Sequence, residues 1–135
     1  MKLALDSSVL HAIFNREPGS QEWLETLIRA RRQGQLVVCE IVYAELAPAF
    51  RTRSELEKVL DNLGVRLDPI RGEAAWLAGH TFKAYRQAGG PRKHMIPDFL
   101  IAAHAQVQAD QLAASDRGYI RSYFPDLPLL QPSQP

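Results

Sequence analysis

Short, continuously apolar runs alternate with longer amphipathic ones along the whole chain. "KLALD" has the character of a buried strand, and "SSVLHAIFNR" then carries Val9, Leu10, Ile13 and Phe14 at helical spacing until "EPGS" turns the chain. A second helix runs from Ser20 through "QEWLETLIRARRQ", with acids in its first turn, Trp23, Leu24, Leu27 and Ile28 on one stripe, arginines in its last turn and Gly34 behind it. "QLVVC" reads as a second strand, and "EIVYAELAPAF" as a helix that Pro48 kinks or ends. Ser54 and Glu57 in "SELE" form a capping box for a helix carrying Leu56, Val59, Leu60 and Leu63, which Gly64 stops. "VRLDPI" reads as a third strand. A long helix follows from about Gly72 to Gln87, then a basic loop, "PRKHM". Pro97 opens the helix "PDFLIAAHAQVQA"; "QLAAS" is a fourth strand, "DRGYIRSYF" a turn or short helix, and "LPLL" a last short strand.

Strands separated by helices long enough to cross over imply parallel pairing, and right-handed crossovers cover both faces of one sheet. The expected architecture is therefore α/β, a three-layer α/β/α sandwich. A chain of 135 residues without repeats or linkers suits one domain, read here as residues 1–130 with a polar tail at 131–135.

Composition changes this picture little. The net charge is +1, from 16 basic and 15 acidic side chains, so only the placement of charge could mark a nucleic-acid surface. A lone Cys39 inside an apolar run forms no internal disulfide and fits a reducing compartment, and no apolar run is long enough to span a bilayer. A cytoplasmic location is expected.

The informative residues are acids. In an open parallel sheet ligands bind beyond the carboxyl ends of the strands. Asp6 follows the first strand, Asp116 follows the fourth, and Asp98 opens the helix between. Each alone is adequately explained as a helix N-cap. Glu45, flanked by apolar and small residues and past the first turn of its helix, is not. Converging carboxylates repel one another, and a divalent cation removes the conflict; all-oxygen ligation suits Mg²⁺ or Mn²⁺. The histidines show no zinc-ligand spacing; His94, near Asp98, is the one worth following. Two arginines, Arg51 and Arg53, follow the Glu45 helix, and Arg86, Arg92 and Lys93 flank the loop before Asp98. These could hold phosphates, the alternative being solvated helix-end charges.

Taken in order, "LALDSSVL", "VVCEIVYAEL", "IPDFLIAAHA" and "AASDRGY" resemble the acidic motifs of the PIN-domain ribonucleases, and the chain length resembles the VapC-type toxins of toxin–antitoxin pairs. The resemblance implies a five-stranded parallel sheet in 3-2-1-4-5 order. It puts the catalytic and metal-binding acids at Asp6, Glu45, Asp98 and Asp116, with one or two Mg²⁺ or Mn²⁺ ions. It also implies endoribonuclease activity by a metal-activated water, an antitoxin partner and a homodimer. The antitoxin would dock on the helix around Trp23 to Ile28 or on the Glu45 helix. Ser7 and Ser8 follow the first acid, where relatives commonly place a hydroxyl or amide that holds a metal ligand or water; helix capping is the simpler role for Ser7. Many relatives carry a hydroxyl residue two positions before the last acid, where this chain has Ala114. Ala114 leaves open a second reading, a catalytically inactive PIN-like module that binds RNA or protein. A third is a phosphoreceiver domain with Asp68 as acceptor; it lacks an acidic pair at the first strand end and a lysine after the later strands.

Overall fold

The computed structural model describes residues 1–115 and 118–132. Five strands, β1 (Lys2–Leu5), β2 (Gln35–Val38), β3 (Val65–Leu67), β4 (Gln111–Ala113) and β5 (Leu129–Leu130), form one parallel sheet in the order β3-β2-β1-β4-β5. The helices are α1 (Ser7–Phe14), α2 (Ser20–Gln33), α3 (Glu40–Leu46), α4 (Arg53–Leu63), α5 (Gly72–Gln87), α6 (Ile96–Gln108) and α7 (Gly118–Tyr123). From β1 to β3 the chain steps outward in one direction, and from β3 it returns across the sheet to β4. Right-handed crossovers therefore set α1 to α4 on one face and α5 to α7 on the other.

Both faces being covered, the central strands bury almost every residue: Leu3, Ala4, Leu5, Leu36, Val37, Val38, Leu112 and Ala113 all lie in the core. On the second face Ala102, Ala103 and Ala105 of α6 are fully buried, small side chains that let the helix approach its neighbours closely. Phe99 is the hub of an aromatic cluster joining α5, α6 and α7. Its ring lies 5.2 Å from Phe82, 5.1 Å from Tyr85, 5.6 Å from Tyr119 and 6.0 Å from Phe124.

Three local expectations need correction. The capping box of α4 is not Ser54–Glu57: the helix starts two residues earlier, Thr52 is its N-cap, and the Thr52 hydroxyl accepts the Glu55 N–H at 3.2 Å. Glu55, not Glu57, reaches back to a main-chain donor, the Arg51 N–H at 3.2 Å, and Glu57 pairs with Arg53. The third strand ends at Leu67 because Pro69 has no N–H to continue a ladder. Cys39 ends no strand; it is the extended N-cap residue of α3. Pro48 ends α3 as expected, within the single 3₁₀ turn Ala47–Ala49.

Candidate functional site

Where the strand order reverses, the ends of β1 and β4 leave a crevice, and Asp6 stands at it. Its N–H donates to the Ala113 carbonyl at 2.9 Å, carrying the ladder one residue past β1. The next residue is helical, so Asp6 is both the last extended residue and the N-cap of α1. Its Oδ2 accepts the Ser8 N–H at 3.3 Å and the Ser8 hydroxyl. Ser8 Oγ in turn receives the Ser115 N–H at 3.5 Å, so one hydroxyl links the ends of β1 and β4 to the carboxylate. Capping is thus done by Asp6 and not by Ser7, whose hydroxyl donates instead to Glu45 Oε1 at 2.9 Å. That bond ties the last turn of α3 to the first turn of α1.

The third acid comes from the first turn of α6. Asp98 Oδ2 accepts the Met95 N–H at 3.0 Å, which closes the helix start. His94 Nδ1 lies 3.8 Å from the same oxygen, and the Tyr119 hydroxyl donates to the Asp98 main-chain carbonyl at 3.4 Å.

Electrostatics shows these acids to be neighbours. Burial pushes the Asp6 carboxyl above the usual range; Ser8 opposes the shift and the Asp98 charge adds to it. Glu45 is exposed as a residue, yet its carboxylate lies down against Ser7. That local burial, followed by the charges of Asp6 and Asp98, raises it, while the Ser7 hydrogen bond and His11 pull it down. Among the described residues no three His, Cys, Asp or Glu side chains close into a ready-made metal centre. Asp116 and Arg117 lie outside the described residues. The donor chemistry fits a hard divalent cation all the same: the three acids offer only oxygen, and their mutual repulsion is the conflict such an ion relieves.

The basic residues divide. Arg53 is committed to Glu57 at 2.8 Å, and Arg51 is exposed beside it, so neither is held against the acids. Arg92 and Lys93 are exposed in the loop that leads into Asp98. Asp68 is spoken for: His104 Nε2 at 2.9 Å, Gln108 Nε2 at 3.2 Å and Lys2 Nζ at 3.2 Å converge on its Oδ2. That is a structural tie between β1, β3 and α6, not an open acceptor. Sequence reasoning passed over His11. The signal for His11 was available, since it sits four residues after Ser7 and hence on the same face of α1.

Fold and site together define an open parallel α/β protein with carboxylates gathered at its topological switch point. A PIN domain model matches residues 3–125, and the chain belongs to the PIN domain family. Solved structures share the fold at low identity. The crystal structure of VapBC2 from Rickettsia felis bound to a DNA fragment from its promoter aligns with TM-score 0.72 and 19% identity, covering 96% of this chain and 98% of the other. VapBC-1 from nontypeable Haemophilus influenzae gives TM-score 0.68 and 20% identity, covering 96% and 97%. A toxin–antitoxin complex from Klebsiella pneumoniae gives 0.67 and 16%, covering 98% of each chain. No curated protein sequence matches the chain.

Proposed function

We propose that this PIN domain protein is a metal-dependent endoribonuclease and the toxin of a VapBC-type pair. The observation that carries the reading is the approach of Asp6, Glu45 and Asp98 from three separate elements around the end of β1, with the Ser7 hydroxyl joining the start of α1 to Glu45 at 2.9 Å and the charges of Asp6 and Asp98 both bearing on Glu45. With Asp116, they would hold one or two Mg²⁺ or Mn²⁺ ions. A bound ion would supply an activated water as nucleophile and neutralise charge on the phosphate. The chain's own residues do the rest. Ser8 and Ser7 orient Asp6 and Glu45, the Met95 N–H orients Asp98, and Arg92 and Lys93 offer phosphate contacts beside it.

The partners follow from surfaces. A cleft of 380 Å³ between α2 and α4, lined by Leu24, Leu27, Ile28 and Leu63 and edged by Arg31 and Arg32, suits an amphipathic antitoxin helix with acidic flanks. Trp76 of α5, 71% exposed, suits the contact of a homodimer. Among the described residues no helix is long and apolar enough to cross a membrane, and a cytoplasmic site of action goes with the proposed RNA substrate. A second reading, an inactive PIN module that grips RNA or protein, is favoured by Ala114, which is buried and offers no hydroxyl next to the end of β4.

Incubation of purified protein with end-labelled RNA separates the readings. Cleavage in Mg²⁺ or Mn²⁺ that leaves 5′-phosphate and 3′-hydroxyl ends, stops in EDTA and is lost in Asp6→Asn, Glu45→Gln, Asp98→Asn and Asp116→Asn supports the nuclease. Cleavage in EDTA with 2′,3′-cyclic phosphate ends overturns it. Binding without cleavage selects the inactive module.

A further inference from the structure

His94 belongs to the loop that joins α5 to α6, and nothing in that loop's connecting role requires a histidine. Its side chain is only 13% exposed. The imidazole stacks on Tyr119 at 4.0 Å and 29°, and meets Tyr85 edge-on at 6.1 Å and 70°. Both partners are themselves anchored. Tyr85 is buried in α5 and its hydroxyl holds the Pro91 carbonyl, while a side chain at Gly90 would strike its ring at 2.6 Å. Tyr119 reaches from α7 to the Asp98 carbonyl. The ring is therefore fixed in plane and position by two helices, with Nδ1 3.8 Å from Asp98 Oδ2.

That oxygen already takes the Met95 N–H. A capping carboxylate is ordinarily free to turn about its last bond and offer either oxygen, which is a poor arrangement for a metal ligand. A ring carrying its proton on Nδ1 makes one orientation preferable, because the oxygen that accepts the Met95 N–H is also the one the imidazole faces at 3.8 Å, too long for a direct hydrogen bond but within reach of the ring's electrostatic field. We propose that His94 is a positioning residue for the carboxylate site: from 3.8 Å it favours the orientation in which Asp98 gives Oδ2 to the Met95 amide and leaves Oδ1 for the divalent cation. The inference rests on the carboxylate site proposed above and assigns that site a supporting group on the loop which also carries Arg92 and Lys93.

Two substitutions separate positioning from packing. His94→Phe keeps a flat ring between Tyr85 and Tyr119 and removes the donor; His94→Asn removes the ring and keeps an N–H near the place of Nδ1. Mn²⁺ binding to the full-length protein by titration calorimetry, with the metal-free melting temperature alongside, is the readout. The expected result is an affinity about tenfold weaker in His94→Phe, the size typical for loss of a group that orients a metal ligand, and an affinity near wild type in His94→Asn even though its melting temperature falls. A wild-type affinity in His94→Phe overturns the proposal, as does an equal loss in both variants that follows their melting temperatures. Asp98→Asn is the reference: if it binds Mn²⁺ as wild type does, the carboxylate site itself falls; if it loses Mn²⁺ while His94→Phe does not, only the positioning role falls.

Discussion

Asp6→Asn should make the protein more stable without metal and less stable with it. Asparagine caps a helix about as well as aspartate, so the Ser8 N–H bond at 3.3 Å survives the change. What disappears is a negative charge held in a half-buried position and facing the charges of Asp98 and Glu45. Relieving such a conflict at a functional site commonly returns about 0.5–2 kcal/mol. For a domain of this size that is a rise in melting temperature of about 2–8 °C. Burial and neighbouring charge raise the Asp6 carboxyl above its unfolded value, so the folded state binds the proton more readily and stability falls as pH rises through that interval. The advantage of Asp6→Asn should therefore be largest at neutral pH and shrink towards acid, where the wild-type carboxyl is neutral too. In Mn²⁺ at a hundred times its dissociation constant the wild type should gain about 2.7 kcal/mol. The variant should gain little, so the order of the two melting curves reverses. Differential scanning fluorimetry across pH, with and without Mn²⁺, measures all of this. A variant that tracks the wild type under both conditions would show Asp6 to be a helix cap and nothing more.

The corrected start of α4 predicts that Thr52→Ala costs about 1 kcal/mol while Ser54→Ala is close to neutral, read from urea midpoints. Gly34→Ala should cost about 1–3 kcal/mol by crowding, since a Cβ there would lie 1.9 Å from the Met1 carbonyl oxygen, where β2 begins beside the chain start; an unchanged midpoint would mean that the chain start yields freely. Asp68 behaves oppositely to Asp6. Burial works against its ionisation, but Lys2 and His104 outweigh it and hold the carboxyl below its usual range. Its contribution is present above the unfolded carboxyl range and is lost as pH falls through the folded value. Asp68→Asn should lower the melting temperature at neutral pH and flatten the acid limb of its pH profile; a parallel, unflattened curve would deny the ion pair that role.

The strands and most helices were legible because each carries its own local signal. β1 and β2 are apolar without a break after their polar first residues, Lys2 and Gln35, as strands buried on both faces are, and α2 is bracketed by acids, arginines and Gly34. Two of the errors fall where two neighbours could do one job. Thr52 and Ser54 are both good caps, and Asp6 and Ser7 are both good caps; the backbone angles that decide between them follow from where the preceding strand or turn releases the chain. Asp6 illustrates why site acids are readable at all. A parallel strand that ends at a helix needs an N-cap there, and the crevice beyond the strand ends is where a ligand would sit, so one local rule places a carboxylate at both. The supporting contacts have no such shortcut. Asp68 meets Lys2 and His104, and Ser8 meets Ser115, across separations that only the finished sheet closes. Arg53 shows the same rule in reverse: a long, exposed side chain with an acid one turn on pairs with that acid, Glu57, rather than lying against the site. Arg92 and Lys93 have no acid one turn away in either direction along the chain, and both are exposed in the loop that leads into Asp98.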